Sequence, residues 1–307
     1  MGNDGGMRII VAGASGYIGT ALVADLRRDD HDVVRLVRRT PRGPDEVGWK
    51  PAAGELDAAA LAGADVAVNL CGVGVGDRRW TEGYKRLILS SRVESTVALS
   101  RALASMTDGP RTLLNASAIG FYGDQGDRVL DESSPPGEGF FPDVCRTWEA
   151  ATHNAEDAGV RVCHLRTGLV VGPGGGLMKR LVPLFRAGLG GKLGSGRQYQ
   201  SWISLADQVG AIRFLAGRPD IAGPVNLTAP TPVTNAEFTK ALAAAVRRPA
   251  VVPAPGFGLR IVLGEFAGNV TDSARVMPTV LTGAGYRYEH PDVSIALQWA
   301  VGGRIKG

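Results

Sequence analysis

The stretch Ile9 to Gly19, IIVAGASGYIG, constrains the fold more than any other part of the chain. A β-branched apolar run, Ile9-Ile10-Val11, meets glycines at 13, 16 and 19. A helix-compatible segment, Thr20 to Arg28, follows at once. The spacing is Gly-x-x-Gly-x-x-Gly, a variant of the dinucleotide turn. In such a turn Gly13 permits the sharp strand-to-helix bend. Gly16 lets the backbone approach a pyrophosphate, and Gly19 lets the helix pack close to the strand. The first-turn amides then face the anion with the helix dipole behind them. Gly13, Ser15, Gly16, Tyr17, Ile18 and Gly19 are the expected phosphate cradle.

The rest of the N-terminal half alternates strand and helix signals. Strands are expected at Arg8–Ala12, Asp32–Val37, Val66–Leu70, Arg111–Ala116 and Val160–Leu165. Helices are expected at Tyr17–Arg28, Ala58–Leu61, Glu82–Ser105 and Asp143–Ala158, with Pro41 to Gly54 as a loop. Strands spaced by helices with short turns imply an α/β fold, a Rossmann-type doubly wound parallel sheet. Right-handed crossovers then place Gly13, Arg38, Gly72 and Ser117 along one carboxyl edge, where ligands bind. Leu70, Cys71, Gly72, Ser117 and Ala118 join the expected cofactor contacts on that ground.

After Gly172 the texture changes. Pro173–Gly176 and Gly188–Gly196 are glycine-rich loops, and Pro224–Leu227 is strand-like. Thr234–Val246 is a helix capped by Asn235 or Thr234. Gly258–Gly268 and Ser273–Leu281 are further helix candidates. The expectation is a cofactor domain over 1–172 and a smaller substrate region over 173–307, partly interleaved with the first.

The cofactor itself is legible at the end of the second strand. An acid about 20 residues past the glycine turn indicates NAD, whereas an arginine accommodates a 2′-phosphate. Here the chain reads Val37-Arg38-Arg39, with no acid. NADP(H) is the expected cofactor, with Arg38 on the phosphate and Arg39 stacking or assisting.

Composition excludes several classes. The 34 Lys and Arg against 30 Asp and Glu give a net charge of only +4. The arginines are scattered rather than gathered into a run, which argues against nucleic acid. No apolar run reaches the ~18 residues of a membrane span. The first strand begins too early to leave room for a signal peptide. Cys71, Cys145 and Cys163, with His31, His153, His164 and His290, lack metal-ligand spacing. A cytoplasmic protein without a metal is expected.

Further segments carry a family resemblance. Val66 to Gly72 (VAVNLCG) and Ser117 to Gly123 (SAIGFYG), with the glycine turn, resemble the extended short-chain dehydrogenases/reductases. Arg79-Trp80-Thr81, Lys85, Ser91-Arg92, Thr96, Trp148-Glu149, Arg166-Thr167-Gly168, Gly194 to Gln198, Asn226 to Pro230 and Gly264-Glu265 are similar to an atypical, epimerase-like subgroup. The resemblance runs from about Arg8 to Ala300. It implies a Rossmann domain with NADP and a small C-terminal substrate domain.

In that superfamily a tyrosine transfers the proton. A lysine four residues later lowers its pKa and holds the ribose, and a Ser or Thr binds the same reacting oxygen. By spacing, the Ser/Thr slot falls on Ala118, the tyrosine slot on Phe141 and the lysine slot on Cys145. Tyr122 is the only tyrosine between Tyr84 and Tyr199, and Gly126 stands four residues after it. The usual dyad is therefore expected to be absent, a loss that matters because acid–base catalysis contributes ~10²–10⁴-fold. Where sugar-nucleotide relatives carry an arginine for the diphosphate, this chain has Gln200.

Tyr122 and Cys145 are the candidate replacements for the proton donor. Glu132, Glu149 and Arg92 are further charged groups expected near the cleft. Arg79, Lys85, Arg166, Arg197 and Trp202 are the candidate substrate contacts. Two readings stay open: an NADP(H)-dependent oxidoreductase or epimerase-like enzyme on a small molecule, and a non-catalytic NADP(H)-binding sensor or scaffold. A homodimer through the long helices is an expectation by analogy alone.

Overall fold

The computed structural model describes residues 6–250 and 272–302. Strand β1 (Arg8–Ala12) leads through the glycine turn into helix α1 (Tyr17–Arg28). Leu22, Val23 and Leu26 give α1 a buried face, and Arg27 and Arg28 sit at its negative C-terminal end. Then come β2 (Asp32–Val37), β3 (Glu46–Lys50), β4 (Glu55–Leu56) and β5 (Val66–Asn69). Helix α2 (Glu82–Ala104) is capped by the Thr81 side chain, which accepts from the Tyr84 amide. It is followed by β6 (Thr112–Ala118), β7 (Val129–Leu130), α3 (Phe140–Ala150), α4 (His153–Asp157) and β8 (Arg161–Thr167).

The later part contains β9 (Leu169–Val171), α5 (Met178–Arg186), β10 (Tyr199–Gln200), β11 (Trp202–Ser204) and α6 (Leu205–Ala216). Beyond these lie β12 (Gly223–Leu227), β13 (Val233–Thr234), α7 (Asn235–Val246), β14 (Arg275–Val276), α8 (Thr279–Gly283) and α9 (Val293–Gly302). Thr234 caps α7 in a reciprocal box with Glu237.

Eight strands form one sheet in the order β12-β8-β6-β5-β1-β2-β3-β4. Every pairing in it is parallel except β3 with β4. Alternation along the strands splits the core into two layers. Ile9, Val11, Val68, Leu114 and Leu165 pack with α1 and α6 on one face. Ile10, Ala12, Ala67 and Leu113 pack with α2 and α4 on the other. A third cluster, built from Trp202, Phe238, Leu242, Leu297 and their neighbours, is the core of the later part. Strand β12 returns from that part to pair with β8.

Several boundaries depart from expectation. The loop expected over 41–54 contains β3. The helix expected over 143–158 begins earlier, at Phe140, and breaks between α3 and α4. The strand ending at Ala116 continues to Ala118, and the one ending at Leu165 continues to Thr167. The helix expected over 273–281 is instead β14 followed by α8. Pro278 lies between them and lacks the amide a continuous helix needs. The helix candidate at 258–268 lies outside the described residues. No helix among the described residues is long and apolar enough to cross a membrane.

Candidate active-site cleft

The chain leaves β1 through Gly13, whose φ of +79° lies in the left-handed region. A Cβ there would fall 2.7 Å from the Leu70 carbonyl. The Gly16 amide donates to the Gly13 carbonyl at 3.0 Å. Gly16 is also the N-cap of α1 and offers no side chain to the first-turn amides. A Cβ on Gly19 would fall 2.2 Å from the Gly13 oxygen, so only glycine lets helix and turn approach this closely. The positive end of a 12-residue helix is left uncapped beside exposed Ser15. That combination fits an anion.

Tyr17 and Ile18 follow in the first turn. Ile18 packs against the core. The Tyr17 hydroxyl donates to the Pro173 carbonyl at 3.2 Å. Its ring fills the space over Gly172, Gly175 and Gly176, and a Cβ on Gly175 would fall 2.1 Å from it. Burial pushes this phenol up to about 12. Tyr17 therefore gives the cradle its backbone and gives its side chain to the later part of the molecule.

At the end of β2 the two arginines separate. Arg39 clamps Glu46 of β3 through two bonds of 2.7 Å, Nη1 to Oε2 and Nη2 to Oε1. The Arg39 hydrogen bond and the Arg42 amide hold the Glu46 carboxyl down at about 2. This corrects the assisting role expected of Arg39, because its fork already matches a carboxylate. Arg38 is exposed and has no carboxylate partner among the described residues.

The ends of β5 and β6 are set by a buried polar cluster. Asn69 Nδ2 donates to Thr96 Oγ1 at 3.0 Å and to Asn115 Oδ1 at 2.8 Å. Trp148 Nε1 donates to Thr96 Oγ1 at 3.1 Å. The Asn69 carbonyl oxygen of the side chain accepts from the Cys71 amide at 3.2 Å, which shapes the turn toward Gly72. Burial pushes the Cys71 thiol up to about 11.

A second network runs across β6, α3, β8 and β12. Ser117 Oγ donates to Glu149 Oε1 at 2.6 Å. Arg166 donates to both Glu149 oxygens, at 2.8 and 2.9 Å, and to the Tyr122 hydroxyl at 3.1 Å. Tyr122 donates in turn to Asn226 Oδ1 at 2.7 Å. Burial raises the Tyr122 phenol. Burial also opposes the charge on Arg166, but Glu149 and Tyr122 together hold its pKa above the ordinary value. Tyr122 was expected as an acid in the cleft and Arg166 as an anion site. Instead both are buried, with their polar atoms spent on each other and on Glu149 and Asn226.

The other candidates are scattered in role. Cys145 is buried, with Sγ 3.6 Å from the Ala118 carbonyl, and burial first and Glu149 second push it up to about 12. Trp202 is wholly buried and donates to the Thr231 carbonyl at 3.1 Å, which makes it core rather than a substrate wall. Arg79 and Arg197 are exposed. Lys85 lies 3.2 Å from Glu82 Oε1 and over the Phe140 ring.

The profile of the NAD dependent epimerase/dehydratase family matches residues 9–227. The chain belongs to this family. A domain of unknown function, DUF1731, matches residues 254–300. An epimerase family protein of Mycobacterium bovis is 47% identical over 293 residues, covering 95% of this chain and 97% of that one. The crystal structure of human epimerase family protein SDR39U1 with NADPH superimposes with a TM-score of 0.89 at 33% identity, covering 96% of this chain and 99% of that chain. The nucleoside-diphosphate sugar epimerase of Corynebacterium glutamicum gives a TM-score of 0.82 at 33% identity, over 97% of this chain but 59% of that one.

Sequence reasoning missed the partners of several of these residues. Glu149 was expected as a charged group near the cleft; it ties β6 to β8 through Ser117 and Arg166. Asn69, Thr96 and Asn226 lay in segments that carried the family resemblance, but nothing local joined Asn69 and Thr96 to Asn115 or Asn226 to Tyr122. Glu132 accepts from the Asn226 and Val280 amides at 3.1 and 3.2 Å, and burial raises its pKa.

Proposed function

We propose that this chain binds NADP(H) along the carboxyl edge of its sheet and works as an oxidoreductase or epimerase-like enzyme on a small molecule. The observation that carries the reading is the uncapped N-terminus of α1 with exposed Arg38 beside the same sheet edge. Two anionic groups, a pyrophosphate and a 2′-phosphate, match those two features. The human relative crystallised with NADPH supports the choice of cofactor. Residues 1–172 would form the cofactor part and 173–307 the substrate part, in a cytoplasmic protein.

NADP(H) supplies the hydride chemistry when bound. The chain's own part is to hold and orient. The cradle amides and Arg38 would fix the adenosine half. Gly13 and Gly72 would let backbone pass close to the cofactor, and Arg79, Lys85 and Arg197 would be the substrate contacts.

The same reading has the tyrosine–lysine pair missing. In support, the three slot residues adjoin one another. A Cβ on Gly120 would lie 3.2 Å from Phe141 Cβ and 3.8 Å from Cys145 Sγ, and Sγ reaches Ala118. A phenyl ring has no proton to give, and a thiol near 12 stays neutral at pH 7. That cluster also favours the second reading, a non-catalytic NADP(H) sensor.

Titration by nicotinamide fluorescence tests the cofactor. Wild type should prefer NADPH to NADH, and Arg38→Ala should weaken NADPH by about 10- to 100-fold with NADH little changed. An unchanged ratio overturns the assignment. Mass spectrometry of molecules released from denatured protein separates the two readings. A stoichiometric second metabolite supports the enzyme, and NADP(H) alone supports the sensor.

A further inference from the structure

Arg161, Arg166 and Arg92 are each buried or partly buried, and the first two are saturated. Arg161 spends Nε on Thr112 and its other nitrogens on the Ile221 and Leu215 carbonyls. Arg166 spends all three nitrogens on Glu149 and Tyr122. Arg92 of α2 is different. Its Nη1 donates to the Ile88 carbonyl at 2.9 Å, and its other guanidinium nitrogens have no hydrogen-bond partner among the described residues. No carboxylate pairs with it among those residues.

The place of this cation matters. Its Cζ lies 5.0 Å from the Trp148 ring centre. A Cβ on Gly72 would fall 3.0 Å from Arg92 Cζ and 3.1 Å from Nη1, so the side chain lies directly on the Gly72 backbone. Gly72 ends the turn after β5, the strand beside β1 and its cradle. The positive charge of Arg92 also reaches Cys145 electrostatically. Arg92 is partly buried, and its unpaired donors are open to the acceptors of an anionic ligand.

We propose that Arg92 binds the nicotinamide half of NADP(H), at the ribose or the adjoining phosphate, taking the place of the cation missing where Cys145 stands. This rests on the cofactor reading above. Arg38 would then hold one end of the cofactor from β2 and Arg92 the other from α2. Gly72 is glycine because a side chain there would displace the guanidinium.

The test compares two ligands that share only the adenosine half: NADPH and 2′,5′-ADP. Arg92→Met keeps the apolar stem on Trp148 and removes the charge; Arg92→Gln is read the same way if the first variant does not fold. Calorimetry should show NADPH weakened about 10- to 100-fold and 2′,5′-ADP unchanged. NADPH bound as tightly as by wild type overturns the proposal and leaves the cofactor reading intact. Equal weakening of both ligands also overturns it, because general damage to the fold is then the cause. No binding of NADPH by wild type removes the cofactor reading, and this proposal with it.

Discussion

Arg38 and Arg39 are chemically identical neighbours with different surroundings, and the difference is made by one carboxylate. Glu46 is buried and accepts from Arg39, the Arg42 amide and Arg35. It pairs with Arg39 and leaves Arg38 without a carboxylate partner among the described residues. The arrangement has a pH signature. The Glu46 carboxyl is held well below its ordinary 4.5, at about 2. A depressed carboxylate contributes stability above its unfolded pKa and loses it as pH falls through the folded one. Stability should therefore decline between about pH 4.5 and 2. In Glu46→Gln that decline should be shallower, measured by urea unfolding across the same range; an unchanged slope would refute it. None of this could be read from the sequence, because Glu46 sits among Pro41, Gly43, Pro44 and Pro51, where turn residues hide a five-residue strand. Tyr122 and Arg166 pose the same problem at longer range. Their residue types were visible, but the partner Asn226 is 104 positions from Tyr122.

Among the elements, the glycine turn and α1 were the most legible, since local spacing alone dictates them. Gly13, with its positive φ, and Gly19, packed on the Gly13 carbonyl, have geometric reasons that lie within the turn itself. Gly19 allows a test in which two effects have opposite signs. In an ordinary helix interior Gly→Ala gains about 1 kcal/mol of propensity. Here the added methyl would meet the Gly13 carbonyl at 2.2 Å, a backbone atom that cannot swing away. Overpacking of this kind costs about 1–3 kcal/mol. Gly19→Ala should thus destabilise the protein in denaturant unfolding, and a stabilised variant would show that the turn has room to relax. Elements fixed by distant partners were read less well. The break between α3 and α4 has no proline or glycine to announce it. It falls where Thr152, wholly buried, donates to the Glu149 carbonyl and its own carbonyl accepts from Ser100. The short strands β9 and β11 exist because they pair with each other, each residue 33 positions from its partner.

For the molecule as a whole, the parallel sheet followed from the order of strand and helix signals, but its outer boundary did not. Strand β12 comes from the later part of the chain and closes the sheet beside β8, while α6 covers the same face as α1. Tyr17 reaches the other way, from the first helix into the glycines at 172–176. A gene fragment stopping at 172 would end with β8 as a bare strand edge and with the face bearing Val11, Leu114 and Leu165 stripped of α6, one of the two helices that cover it. Such an edge recruits other chains. The fragment should be recovered in aggregates, and a monomeric, cooperatively melting fragment in size-exclusion and calorimetric runs would contradict this. Fusion partners, split reporters and swapped modules would then have to respect a seam that passes through the sheet rather than between two beads on a string.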